Sequence, residues 1–228
     1  MASLKSFLQG VAPILGVSLA TLYERQRALV RLGVLPPSTG AGPGSGVPFT
    51  AKNFAAILIS ILASDSLSDV DQSMVALFKA KPETTFDDWS WGRSEKRSDG
   101  RLPFPTHFWS ELTPRGKPTF LRDVALVLSG YTAKVPWEEH EEAYEPVWTI
   151  GDITGVRVSR VWRGQIVVKV GDSSFFASYH SSKNRPARAI SITAEIEGDM
   201  LARLISFTKD ALNQLEGLGQ AEEKDDAR

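Results

Sequence analysis

The sequence predicts an α+β protein in which helices come first and an antiparallel sheet follows. Apolar residues recur at helical spacing over positions 4–63, and after position 147 they alternate with polar residues with a period of two. The chain has 228 residues, 42% of them hydrophobic, and this length suffices for a sizeable buried core. We therefore expect a helical N-terminal domain, an irregular and partly helical middle, and a C-terminal antiparallel β-meander with one covering helix.

The composition excludes several classes of site. The sequence contains no cysteine and three histidines, so disulfides, thiolate chemistry and Cys-ligated zinc are ruled out. The histidines, His107, His140 and His180, lie in three separate segments without the spacing of metal ligands. No serine lies in a nucleophile elbow, and no acid–base pair has a convincing spacing. We expect no metal, no cofactor and no enzymatic activity.

No segment of the sequence has the length and apolarity of a membrane span. The most apolar stretch, residues 54–63, is about half of the ~20 residues that a spanning helix requires. Residues 7–20 could pass for a signal peptide, but Gln9, Gly10 and Pro13 dilute their apolar character. We therefore expect a cytoplasmic protein without a membrane partner.

Charge is distributed in blocks although the formal net charge is only −1. Residues 1–56 carry five basic and one acidic side chain, and residues 153–188 carry seven and one. Residues 135–152 carry six acidic side chains and no basic one. Such alternation allows a neutral protein to present a basic face, which is the electrostatic footprint of a polyanion partner. It equally allows the blocks to pair with one another inside the molecule.

The N-terminal segment is typical of a helix-turn-helix motif. Leu4, Phe7, Leu8, Val11, Ile14 and Leu15 share one helical face. Gly16 then permits a left-handed turn, and Ser18 is a candidate N-cap for a second helix over about 19–32, which Gly33 ends. Pro13 implies either a kink or a new helix start. An ordinary packed helix pair fits the same pattern.

A glycine-rich hairpin is predicted directly after the second helix. Residues 33–37 indicate a short strand, residues 38–46 a flexible tip, and residues 47–49 a returning strand. Thr50 is then a candidate N-cap for a third helix over 51–63. A hairpin at this place, residues 36–48, would form a wing along a DNA backbone, where glycines allow amide groups to approach phosphates.

These residues resemble the winged helix-turn-helix domain of the MerR family. The resemblance rests on Gly16-Val17-Ser18, Thr21-Leu22, the run from Gly33 to Pro37, Gly44-Ser45-Gly46-Val47 and Phe49-Thr50, and it covers roughly residues 11–62. It implies a dimeric, sequence-specific binder of double-stranded DNA. The absence of cysteine excludes metal sensing of that family's kind.

The DNA-binding hypothesis assigns roles to particular side chains of the second helix and the wing. The helix over 19–32 would enter the major groove, where Arg27 is the best candidate for bidentate recognition of guanine. The predicted base contacts are Tyr23, Glu24 and Arg27. The predicted phosphate contacts are Ser18, Thr21, Arg25, Arg31, Lys52, Gly44 and Gly46.

The chain divides into four predicted regions. Residues 1–80 would form the winged domain with a following helix, and residues 81–146 a connecting region with a short helix at 119–128. Aromatic and basic side chains there suggest secondary nucleic-acid contacts, namely Trp91, Arg93, Arg97 and Arg101. Residues 147–217 would form the sheet and its helix, with turns at Arg163-Gly164 and Gly171-Asp172, and residues 218–228 a disordered tail.

Three functions remain open besides an enzyme in the second half of the chain that would use Glu or His with a metal, for which the sequence offers no acid–base pair at a convincing spacing. The leading hypothesis is a homodimeric transcriptional regulator, with operator and effector unknown. The second is a phage-type packaging or partition adaptor that passes DNA to a motor. The third is a protein-interaction module in which the helix pair is purely structural.

Overall fold

A computed structural model describes residues 3–38, 46–67, 70, 72–82, 102–103, 118–137, 147–159, 163–170, 173–180 and 193–225. It confirms an α+β protein of helices and a largely antiparallel sheet. The described helices are α1 (Leu4–Leu15), α2 (Leu19–Arg31), α3 (Ala51–Ala63), α4 (Gln72–Phe78), α5 (Phe120–Leu128) and α6 (Gly198–Asp225). The described strands are β1 (Lys81–Pro82), β2 (Leu102–Pro103), β3 (Ala133–Trp137), β4 (Val147–Ser159), β5 (Arg163–Val170), β6 (Ser173–His180) and β7 (Thr193–Glu197).

The two N-terminal helices form as predicted, because each has a suitable residue at its ends. Gly16 ends α1 with φ of 63°, a left-handed conformation that glycine adopts without a Cβ penalty. The Ser18 side chain caps α2 by accepting a hydrogen bond from the Thr21 amide at 3.1 Å. Pro13 lies within the last turn of α1, which continues through it to Leu15.

Helices α3 and α5 begin at threonine caps and lie at the centre of the molecule. Thr50 caps α3 and Thr119 caps α5, each by accepting a hydrogen bond from the backbone amide three residues later. Helix α3 is buried on nearly all sides, and it packs against α5, β4 and β7 of the same chain. The apolar surface of α3 is therefore covered within the same chain.

The described strands form one seven-stranded sheet. Strands β4, β5 and β6 make an antiparallel meander, which confirms the predicted C-terminal topology. Strand β3 pairs with the first part of β4 and β7 with its last part, while β1 and β2 pair with β6. The predicted turn at Arg163-Gly164 is wrong, since both residues pair within β5.

The two faces of the sheet differ in chemistry. Side chains that point toward the helices are apolar and buried, and they include Val156, Val158, Ile166, Val168 and Ile196. On the opposite face, Arg157 forms an ion pair with Glu195 on the neighbouring strand β7. Alternation of this kind is what a period of two produces when one face is covered by helices.

Helix α6 lies on α1, α5 and the sheet, and it is longer than the sequence suggests. Leu201, Leu204 and Thr208 are buried, and the Phe207 ring lies 5.1 Å from the Phe7 ring of α1. Gly217 was expected to end this helix, with a disordered tail over 218–228, but the helix continues through Gly217 to Asp225. A glycine within a helix lowers stability without terminating it.

One hydrophobic core connects the N-terminal helices with the sheet. The buried cluster contains Leu8 and Leu22 from the helix pair, Phe120 from α5, Ile166 from the sheet and Leu204 from α6. This cluster includes residues on both sides of the predicted boundaries at 80 and 146, and the division into domains stays a prediction. None of the helices described here is long and apolar enough to span a membrane.

The predicted wing is not formed as a hairpin in the residues that the structure describes. Residues 34–38 are not in a strand, and among the described residues the expected return strand makes one isolated bridge, from Pro48 to Ser3. The Leu4 amide donates to the Val47 carbonyl at 2.8 Å. The segment after the predicted tip thus pairs with the start of α1. The Leu4 amide is the donor to Val47, where the predicted hairpin would have used a donor from residues 33–37. Of the predicted tip, residues 38–46, positions 39–45 lie outside the described residues.

Candidate nucleic-acid interface

Helix α2 is an outer element of the molecule. Its principal neighbours are α1 on one side and α3 on another, and Leu22, Ala28 and Leu29 face them as buried side chains. The remaining face of α2 is at least partly open to solvent over most of its length. A second helix held this way, after a glycine turn, can approach a flat or grooved partner.

Two arginines project from this open face. The Arg27 side chain is 72% exposed, and Arg31 one turn later is exposed as well. Arg27 donates to the Glu24 carboxylate at 2.6 Å, an ion pair between positions three residues apart. Exposed pairs of this kind contribute little to stability, so the guanidinium can be released to another acceptor at low cost.

A shallow groove of about 490 Å³ runs beside these side chains. Its walls come from α2 and from the two segments that flank residues 39–45. The lining residues are Glu24, Gln26, Arg27, Val30, Arg31, Ser38 and Val47. The structure therefore brings Glu24, Arg27 and Arg31 together along one groove. Their contact with DNA stays a prediction.

Tyr23 is not among the residues that line this groove. Its hydroxyl accepts a hydrogen bond from the Gln9 side chain of α1 at 3.4 Å. The Lys5 ammonium lies 5.5 Å from the centre of the tyrosine ring, within the range of a cation–π contact. Tyr23 is half-buried and packs against the core. The structure thus places this predicted base contact against α1 rather than beside Arg27.

Ser18 and Thr21 are at the exposed N-terminal end of α2, where they bind each other. Their hydroxyl oxygens are 2.8 Å apart, in addition to the capping hydrogen bond from the Thr21 amide. The Ser18 side chain therefore caps α2 in the free protein, and the Thr21 hydroxyl binds the Ser18 hydroxyl. A contact between their hydroxyls and a phosphate stays a prediction.

Arg25 cannot contact phosphate in this structure, and this prediction is wrong. The side chain is 3% exposed and points toward the C-terminal end of α3. Position 25 follows Leu22 by three residues and precedes Leu29 by four, so it lies on the inward stripe of α2. The sequence shows this spacing, but the prediction gave more weight to the positive charge of Arg25 than to its position on the inward stripe.

The remaining predicted contacts are dispersed or fall outside the described residues. Lys52 is exposed in the first turn of α3, and Gly46 is partly buried close to Ser3. Gly44 and the predicted secondary contacts Trp91, Arg93, Arg97 and Arg101 lie outside the described residues, as do the carboxylates around His140. Within the part of the chain that is described, no three His, Asp or Glu side chains form a metal-binding group.

Three further polar side chains belong to this surface and were not predicted. Gln26 lines the groove, and Lys5 and Gln9 of α1 flank Tyr23. Lys5 and Gln9 are four residues apart on the polar side of α1, a spacing that the sequence shows. Their meeting with Tyr23 depends on how α1 and α2 cross, which the sequence pattern does not specify.

Comparison of the chain with protein-family models, with curated proteins and with solved structures produced no match.

Proposed function

We propose that this protein binds double-stranded DNA through the open face of α2. The observation that carries the proposal is the exposure of Arg27 and Arg31 along one groove, on a helix whose opposite side is anchored in the core. An outer helix with guanidinium groups on its free face has the size and charge to enter a major groove.

In this proposal the two arginines have different roles. Arg27, near the middle of α2, recognises a guanine edge through two hydrogen bonds, while Arg31 and Lys52 neutralise phosphates. In the free protein the Glu24 carboxylate pairs with Arg27. When Arg27 moves to its guanine, the Glu24 carboxylate accepts a hydrogen bond from the amino group of a cytosine. Such a protein acts as a cytoplasmic transcriptional regulator, and two copies bind two half-sites of an operator as a homodimer.

Selection of bound fragments from random duplex DNA tests sequence recognition directly. We expect the full chain to enrich a motif with two related half-sites about 10 base pairs apart. Fragments without a common motif would contradict sequence-specific recognition. Fragments with one unpaired motif would contradict the homodimer.

Salt dependence separates DNA binding from the alternative of a protein-interaction module. If phosphates are neutralised, the logarithm of the binding constant falls steeply and linearly with the logarithm of salt concentration. Arg31→Gln should reduce that slope by about 1. Arg203→Gln, an exposed arginine of α6, is the matched control and should leave it unchanged. A flat response in the wild-type protein would favour the interaction module.

A further inference from the structure

We propose that Arg25 is a positioning residue that fixes the orientation of α2, and thereby of its DNA-facing side, relative to the core. The assignment of α2 to DNA rests on the proposed function. The anchoring of α2 by Arg25 is a separate claim that can be tested in the free protein.

The Arg25 guanidinium binds the C-terminal end of α3. Its two terminal nitrogens donate to the Ser60 carbonyl at 2.5 Å and to the Ser64 carbonyl at 2.7 Å. One of them also lies 3.2 Å from the Ser64 hydroxyl. The Ser60 carbonyl lies in the last turn of α3, where backbone carbonyls lack a donor within the helix and carry its partial negative charge. Ser64 follows the helix as its C-cap residue in an extended conformation. The guanidinium therefore meets both the geometry and the charge of this helix end.

The hydrogen bonds of Arg25 join α2, which is an outer helix, to α3, which is rigid. Helix α3 has ten buried residues in the span Asn53–Ala63, and it packs against α5 and the sheet. A planar guanidinium that binds two fixed carbonyls restricts both the distance and the rotation of α2. Apolar packing alone, through Leu22 and Leu29, is less directional and permits small rotations of the helix.

Burial sets the electrostatic cost of this arrangement. It lowers the pKa of Arg25, while the nearby Asp65 carboxylate raises it. The Arg25 Nε atom is buried without a hydrogen-bond partner. Replacing buried ionic groups with apolar ones is often neutral or stabilising. A buried guanidinium is therefore not expected to stabilise the protein more than an apolar side chain would. We explain the Arg25 charge by its effect on the orientation of α2.

The test compares Arg25→Met, Arg25→Lys and Ser64→Ala with the wild-type full chain. The control is Arg203→Met, which makes the same change at an exposed position of α6. Amide hydrogen exchange of α2 and α5 is measured in the free protein. Affinity is then measured for the selected DNA motif and for a scrambled duplex of equal length.

We expect Arg25→Met to speed exchange in α2 by about tenfold or more while α5 changes much less, because a local tether has been lost. The ratio of specific to scrambled DNA affinity should fall by about tenfold. Arg25→Lys should retain part of the slow exchange in α2 and part of the ratio of specific to scrambled DNA affinity, since an ammonium still reaches one carbonyl. Arg203→Met should change neither quantity.

Two results would overturn the positioning role. One is unchanged exchange in α2 of Arg25→Met, and the other is an equal rise in α2 and α5, which would show a global effect on stability. If Arg25→Met does not fold, Arg25→Lys decides the same question: faster exchange in α2 than in the wild type, with α5 unchanged, supports the positioning role, and unchanged exchange in α2 overturns it. Ser64→Ala removes only the hydroxyl contact and keeps both carbonyls, so it should have a smaller effect than Arg25→Lys. If the wild-type protein binds no DNA, the proposed function fails, and the exchange data still decide whether Arg25 anchors α2.

Discussion

At the scale of single residues, Arg25 and Arg27 show how little charge alone says about function. They are two positions apart in α2, which places them on opposite sides of the helix. Arg25 is buried against α3, whereas the Arg27 side chain is 72% exposed. The same side-chain chemistry therefore anchors the helix in one case and is available to a partner in the other.

Changing Arg27 tests the predicted base contact. We expect Arg27→Ala to lose about 1–3 kcal/mol of discrimination at one base pair, because a bidentate contact to guanine would be removed. Binding to a panel of single-base operator variants measures this, with Arg203→Ala as the control. An equal loss of affinity for every sequence would show a phosphate contact instead.

The buried pair of Tyr179 and Asp123 joins β6 to α5. The Tyr179 hydroxyl donates to the Asp123 carboxylate at 2.8 Å, and both side chains are fully buried. Tyr179→Phe should lower the free energy of unfolding by about 1–3 kcal/mol, since it leaves a buried carboxylate without this donor. Urea unfolding measures the change. Tyr23→Phe removes a more exposed hydroxyl and should have a much smaller effect.

The same tyrosine should make stability depend on alkaline pH. Burial raises the pKa of Tyr179 well above its usual range, and Asp123 raises it further. The folded protein then holds the proton more tightly than the unfolded chain, so this contribution is complete below about pH 10 and declines above it. The stability difference between wild type and Tyr179→Phe should therefore shrink between pH 8 and pH 11. A constant difference would contradict the raised pKa.

At the scale of elements, helices of this protein pack where glycine allows a close approach. A Cβ on Gly164 of β5 would lie 2.6 Å from the ring of Phe120 in α5, and that ring is fully buried. A Cβ on Gly217 of α6 would meet nothing within 4 Å. Two glycines in regular elements therefore have different structural roles.

Alanine substitutions at these two glycines should act in opposite directions. Gly164→Ala should destabilise the protein by about 1–3 kcal/mol, because the Phe120 ring must move within a packed core. Gly217→Ala should stabilise it by about 0.5–1 kcal/mol through the higher helix propensity of alanine. Thermal or urea unfolding of both variants checks the signs, and a stabilising Gly164→Ala would contradict the packing at α5.

At the scale of the whole molecule, the N-terminal helices and the C-terminal sheet share one core. Helix α3 packs against β4 and β7, and α6 packs against α1. The helix pair that carries Arg27 is thus supported by residues more than 150 positions later in the chain. This long-range support gives α2 a rigid base.

A shared core predicts a single cooperative unfolding transition. All six tryptophans lie after residue 88, so their fluorescence reports on the later part of the chain. Circular dichroism at 222 nm includes the N-terminal helices. We expect the two signals to give the same urea midpoint. Separate midpoints would show that residues 1–80 fold as an independent domain.

Local sequence signals predicted much of the secondary structure. The caps Ser18 and Thr50 and the left-handed Gly16 define helix ends through hydrogen bonds within a few residues. The alternation in β4, β5 and β6 likewise reflects burial of one face. For the candidate site, the exposure of Arg27 and Arg31 followed from their place opposite the apolar stripe of α2.

The sequence by itself determined the helix pair, its capping residues and the meander, because those depend on contacts close along the chain. Only the tertiary structure decided that Arg25 binds the end of α3, that the Val47 carbonyl accepts from the Leu4 amide, and that Tyr23 faces α1. Each of these depends on which distant segment supplies a hydrogen-bond partner or an aromatic contact. That choice is made when the whole core packs, since a buried polar group must be satisfied by whatever then lies beside it.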